Sequence, residues 1–170
     1  MNSFQVFALC GSLRAASSNR AILEAAARLA PPEMAVEIYP DLGALPHFNP
    51  DLESDLPPVV AEFRARVKSA GAVIISTPEY VHGLPGSFKN ALDWLVSEGE
   101  LWDKPVAVIS VANRGEWANA SLREILKTLM ARVSETALPI GSNKVSVEQI
   151  VGDAELARLL RAALAHSVGC

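Results

Sequence analysis

The chain alternates short apolar runs with longer stretches in which apolar residues recur at helical spacing. Phe4 to Cys10 is nearly all apolar and predicts a buried strand. Asn19 to about Ala30 follows as a helix. Pro31-Pro32 stops it, because proline lacks the N–H that the next turn needs. Met34 to Tyr39 alternates more loosely and predicts the second strand. Pro40 to Pro58 is a long connection rich in Pro, Asp and Leu, of the kind that serves function or packs at an interface. Val59 to Ala70 predicts a second helix, with Val60, Phe63 and Val67 on one face. Gly71 to Ser76 is almost wholly apolar, as befits a strand covered on both faces in a parallel sheet. After a loop from Thr77 to Gly86, a third helix spans Ser87 to Ser97, with Phe88, Leu92, Leu95 and Val96 facing one way. Val106 to Val111 predicts the fourth strand, and Ala112 to Trp117 another loop. Ala118 to Arg132 predicts a fourth helix, its apolar face running through Leu122, Ile125, Leu126, Leu129, Met130 and Val133. Glu135 to Leu138 reads as a short fifth strand and Asp153 to His166 as a closing helix.

Five strands alternating with helices predict an α/β fold: a doubly wound parallel sheet between two helical layers, formed by residues 1–170 as one domain. Right-handed crossovers place helices on both faces. In such sheets ligands bind outside the carboxyl ends of the strands, where the strand order switches. The polar loops after strands one, three and four all reach that edge.

Composition narrows the field. Half of the 170 residues are apolar, which suits a sheet buried on both sides. The net charge of −4 argues against a nucleic-acid or anionic-membrane partner. No apolar run reaches the roughly 20 residues of a membrane span. Met1-Asn2-Ser3-Phe4 lacks the basic and apolar regions of a signal peptide. Cys10 and Cys170 have neither metal-ligand nor C-x-x-C spacing, so a reducing cytoplasm is the expected compartment.

The first loop, Cys10 to Arg20, carries the densest chemistry. Ser12, Ser17 and Ser18 offer hydroxyls, Arg14 a guanidinium, and the following helix the positive end of its dipole. One reading is a phosphate site. The other is a capped turn, to which Asn19 belongs equally well. The loop has no G-x-G-x-x-G and no G-x-x-x-x-G-K-[ST], which excludes the usual dinucleotide and triphosphate loops. A C-x5-R phosphatase loop would need Arg at position 16, which is Ala16; Cys10 therefore reads as a buried structural thiol.

Gly11-Ser12-Leu13-Arg14-x-x-Ser17-x-Asn19-Arg20 resembles the phosphate loop of the NADPH-dependent FMN reductase family, flavodoxin-like reductases of quinones, azo dyes and chromate. Thr77-Pro78-Glu79-Tyr80, then Pro85-Gly86-x-x-Lys89-Asn90-Ala91-x-Asp93-Trp94-Leu95, is similar to that family's second signature. The resemblance covers essentially the whole chain. It implies a flavodoxin-like three-layer sandwich with strand order 2-1-3-4-5. It also implies an FMN-dependent oxidoreductase that takes electrons from NADPH or NADH and delivers them by ping-pong turnover to a small-molecule acceptor such as a quinone or free flavin. Ser12, Arg14, Ser17 and Asn19, with Ser18, would bind the FMN phosphate. Pro78, Glu79 and Tyr80, with the amides of Val81, His82 and Gly83, would edge the ring system. Family members commonly carry Asn where this chain has Val81, and a Gly-rich run where it has Asn113 to Trp117; Arg114 and Trp117 would there shape the donor or acceptor side. A homodimer or homotetramer is implied, with the Pro46–Leu56 loop and the Trp94 helix as candidate boundary.

Plainer readings stand beside these. Lys89, Asn90 and Asp93 form a solvated face or pair across a dimer; Trp94 and Leu95 belong to a core or an interface. Glu79 is a structural or inter-subunit partner rather than a general acid, and His82 an incidental loop residue. His47 and His166 have no evident role. The alternative function is a flavodoxin-like electron carrier or flavin-binding module without nicotinamide turnover.

Overall fold

The computed structural model describes residues 3–141 and 144–167; Cys170 lies outside them. Its elements are β1 (Phe4–Cys10), α1 (Ser18–Leu29), β2 (Met34–Ile38), α2 (Pro58–Ser69), β3 (Ala72–Ser76) and α3 (Gly86–Asp93), then β4 (Pro105–Val111), α4 (Glu116–Thr128), β5 (Arg132–Leu138), α5 (Val147–Gly152) and α6 (Ala154–Ser167). The strands form one parallel sheet in the order β2-β1-β3-β4-β5, the flavodoxin-like arrangement. β1 and β3 are neighbours, with Cys10 opposite Ser76, so the loops that follow them leave the sheet side by side.

The period-two rule divides each central strand between two cores. Phe7, Leu9, Val73, Ile75, Val106 and Val108 pack with α2, α3 and α4. Val6, Ala8, Cys10, Ala72, Ile74, Ala107 and Ile109 pack with α1, α5 and α6. Every residue of β3 is buried, as its unbroken apolar run requires.

The boundaries differ from the pattern in three places. α3 stops at Asp93, so Trp94 and Leu95 are buried just beyond the helix while Val96 is 54% exposed. α4 stops at Thr128, and Met130 adopts a left-handed backbone (φ 59°) and faces solvent. Val133, assigned above to that helix, lies on β5, which begins three residues before Glu135 and pairs with β4 along seven positions. The closing helix is α6, close to the predicted bounds, and a short helix that the pattern did not predict, α5, precedes it. α5 begins with a capping box in which Ser146 Oγ accepts from Gln149 N and the Gln149 side chain accepts from Ser146 N.

The long connection holds two 3-10 turns, Leu42–Ala44 and Pro50–Leu52, and docks on its own chain. Asn90 accepts from Phe48 N and donates to Pro46 O, Trp94 Nε1 donates to the same carbonyl at 2.8 Å, and Phe48 meets Trp94 edge-on at 5.0 Å. Asn90 and Trp94 thus anchor this loop within the chain. No helix of the described residues is long and apolar enough to cross a membrane.

Candidate functional site

Gly11 brings the β1 and β3 loops together. A Cβ there would lie 2.0 Å from Thr77 Oγ1 and 2.5 Å from Thr77 Cβ, so only glycine lets the two backbones approach. Gly11 N donates to Ser76 O, and Ser76 Oγ donates to Asn19 Oδ1 at 3.0 Å, pinning the first turn of α1 to β3.

Ser17 is the N-cap of α1, with extended backbone, but its side chain makes no capping bond and the first turn holds no acidic residue. The first amides of a helix have no partner within it. Here they face the loop uncapped, with the dipole's positive end behind them. The hydroxyls around them keep donors free. Ser12 Oγ accepts from Arg14 N and Ser18 Oγ accepts from Val145 N, so each hydroxyl hydrogen is available to another acceptor. Arg14 is exposed and has no ion pair among the described residues. Arg20, by contrast, is turned to Glu24 on its own helix.

These groups form one end of a cleft of about 350 Å³, within the range of small-molecule pockets. Ser12, Arg14, Ser17, Ser18 and Asn19 line it together with Pro78, Glu79 and Tyr80, so eight of the residues singled out from the sequence meet in one place. Val81, His82 and Gly83 do not line it; they form a turn at its rim. Tyr80 N donates to Gly83 O and Gly83 N to Tyr80 O, closing a two-residue turn in which Val81 (φ 50°) and His82 (φ 55°) are both left-handed. The amides of Val81 and His82 have no backbone partner among the described residues.

The loop after β4, which the sequence placed at this edge with Arg114, supplies the third wall, but several of its residues had not been singled out. Ser110, Val111, Gly115 and Asn119 complete the cleft, and Lys144 joins Arg114 and Arg14 as a cation on its lining. Ser110 is the one polar residue in the apolar run of β4, at its carboxyl end, a signal that was available. Lys144 had none, since it follows the last strand by several residues. The one acid of the lining, Glu79, accepts from Ala118 N at 2.9 Å and is thereby committed to α4. His82 stacks on Trp117 at 5.7 Å with 22° between the rings.

The cleft therefore offers uncapped helix amides, hydroxyl donors and cations at one end, and a flatter rim of proline, tyrosine and free amides beside it. That donor set fits a ligand with a terminal phosphate and a planar heterocycle, such as FMN. Burial pushes the Cys10 thiol up, against the thiolate form, and its Sγ donates to Ser12 O.

Among known proteins, the sequence profile described as NADPH-dependent FMN reductase matches residues 4–144. An NAD(P)H-dependent FMN reductase of Pseudomonas aeruginosa is 35% identical over 122 residues, 70% of this chain and 65% of that protein. An NAD(P)H:quinone oxidoreductase of Solanum tuberosum is 40% identical over 111 residues, 62% of this chain and 57% of that protein. The matched stretches thus span less than two thirds of these relatives' lengths. The structure of FerB, a flavoenzyme NAD(P)H:(acceptor) oxidoreductase from Paracoccus denitrificans, superposes with a TM-score of 0.77 at 28% identity, covering 96% of this chain and 94% of that one. With the family profile matched across most of its length and the sheet order that goes with it, this chain belongs to the NADPH-dependent FMN reductase family.

Proposed function

We propose that the chain is an FMN-dependent oxidoreductase that takes electrons from NADPH or NADH and delivers them to a small-molecule acceptor such as a quinone or free flavin. The observation that carries this reading is the uncapped, acid-free amino end of α1, surrounded by Ser12, Ser17, Ser18 and Arg14 and opening on the Pro78–Tyr80 rim. Relatives named as FMN reductases and quinone oxidoreductases support the same chemistry.

Bound FMN would supply hydride and single-electron transfer, which no side chain here performs. The chain's own part is binding and electrostatics. Ser12, Ser17 and Ser18 would donate hydroxyl hydrogen bonds to the phosphate, the first α1 amides would donate to its oxygens, and Arg14 would add a charge-assisted bond. Asn19 holds the helix start against Ser76 and so fixes where those amides stand. Pro78 and Tyr80, with the free amides of Val81 and His82, would edge the ring, and those N–H groups would stabilise negative charge on it. Glu79, bonded to Ala118 N, and Gly83, bonded to Tyr80 O, would hold that edge in place. Arg14, Arg114 and Lys144 outnumber Glu79 on the lining, so the cleft is positive and attracts anionic ligands. One open cleft receives donor and acceptor in turn, giving ping-pong kinetics. The proposal includes assembly as a homodimer or homotetramer, in keeping with the resemblance, and a cytoplasmic location, in keeping with the cysteine spacing.

The test is titration of the purified chain with FMN, followed by steady-state oxidation of NADPH with a benzoquinone. Saturable binding at one site per chain and parallel double-reciprocal lines support the proposal. Absence of FMN binding overturns it.

A further inference from the structure

The amino end of α4 is built without a cap of its own. Gly115, left-handed at φ 71°, occupies the N-cap and has no side chain to offer. The carboxylate that satisfies Ala118 N comes instead from Glu79, 39 residues earlier, on the loop that leaves β3. Three residues further along that loop, His82 stacks on Trp117, which is in the first turn of α4. The loop therefore meets one helix end at two points, one polar and one aromatic.

Between those points lies the least comfortable backbone at the cleft. Val81 and His82 are consecutive non-glycine residues with positive φ, and Val81 is β-branched and fully exposed. Such a conformation persists only where neighbouring contacts over-determine it. The Tyr80–Gly83 pair closes the turn but does not place it relative to the sheet. The Glu79 and Trp117 contacts do.

We propose that Glu79 is a positioning residue: by capping α4 it latches the Tyr80–Gly83 turn to that helix, with the His82–Trp117 stack as the second point, and so sets where the free amides of Val81 and His82 stand at the rim. This deepens the reading of the cleft as an FMN site and rests on it for its consequence. The latch itself is a property of the chain without ligand. Glu79 acts through Ala118 and the turn, not on a substrate.

The experiment uses the full chain as wild type, Glu79→Ala, Glu79→Gln, Trp117→Ala and the Glu79→Ala/Trp117→Ala double variant. Gln keeps an oxygen that accepts from Ala118 N. In flavin-free protein the His82 ring protons, shifted upfield by the Trp117 indole, are followed by NMR. The shift is lost in Trp117→Ala, falls strongly in Glu79→Ala and is retained in Glu79→Gln. In FMN titrations the Kd rises about tenfold in Glu79→Ala and stays within about threefold in Glu79→Gln, in line with loss and retention of a charged hydrogen bond. The double variant is weaker than wild type by less than the product of the single effects, because both contacts place one turn. A cap that served helix stability alone would lower the melting temperature of Glu79→Ala while leaving the His82 shift and the FMN Kd unchanged, and that result overturns the proposal. If Glu79→Ala does not fold, Glu79→Asp, whose carboxylate is one methylene short of Ala118 N, takes its place with the same expectations. Should the wild type bind no FMN, the reading of the site fails, and the His82 shift still decides the latch.

Discussion

Replacing Val81 by Asn raises the stability of the flavin-free chain. Val81 sits at φ 50° in the first central position of a two-residue turn, its neighbour His82 at 55°. The left-handed region costs an L-residue about 1–2 kcal/mol, and β-branched residues are the worst suited to it. Asn tolerates that region and dominates such turns. The Val81 side chain is 102% exposed, as hydrated folded as unfolded, so its replacement loses no packing or burial. The net gain is therefore about 1 kcal/mol, which for a chain of this size is about 2–4 °C in melting temperature. Calorimetry of the flavin-free protein and its urea midpoint, with an unchanged slope, measure the effect. Val81→Ala removes the branch and keeps the L-residue penalty, so it gains less. An Asn variant that melts at or below the wild-type temperature refutes the argument that Val81 carries backbone strain at the rim.

Other outcomes follow from single contacts. Arg14→Ala weakens FMN binding by about 1.5–3 kcal/mol, near the lower end because the guanidinium is exposed; fluorescence titration reads it, and an unchanged Kd removes Arg14 from the phosphate site. Gly11→Ala destabilises by about 1–3 kcal/mol in urea unfolding, since the new Cβ meets Thr77 backbone and side chain together; a neutral result shows that the β1 and β3 loops part freely. The Ser97 hydroxyl, and after it the Arg64 guanidinium, hold the Glu53 carboxyl below its ordinary value of 4.5. Its folded pKa is thus the lower one, so ionised Glu53 stabilises the fold above that ordinary value and the contribution fades as pH falls through the folded pKa. Wild type melts above Glu53→Gln at neutral pH and the gap closes in acid; a gap constant with pH contradicts the assignment.

The sequence pattern was most informative where one physical rule dominated. Nearly continuous apolar runs at Phe4–Cys10 and Ala72–Ser76 located the two strands that frame the cleft, because a doubly covered parallel sheet buries such runs. Periodicity misplaced the end of α4 because Leu129, Met130 and Val133 continue the helical spacing after the backbone has turned at Met130. β5 was read too short because its first residues at the sheet edge include exposed Arg132 and polar, half-buried Ser134, which break the apolar run. The three first-loop serines with Arg14, and the Pro78–Tyr80 run, are brought to one cleft by the adjacency of β1 and β3, which the strand order implied. The part played by Glu79 was beyond the pattern's reach: its partner is a backbone amide 39 residues away, and no spacing encodes that.

The most direct test of the account is the visible absorbance spectrum of the purified chain, loaded with FMN, passed through gel filtration and then mixed with NADPH without oxygen. The account predicts a flavin spectrum that stays with the protein and bleaches within seconds of adding NADPH. A chain that takes up no FMN, even on titration, contradicts the site, and a retained flavin that NADPH leaves unbleached contradicts the reductase.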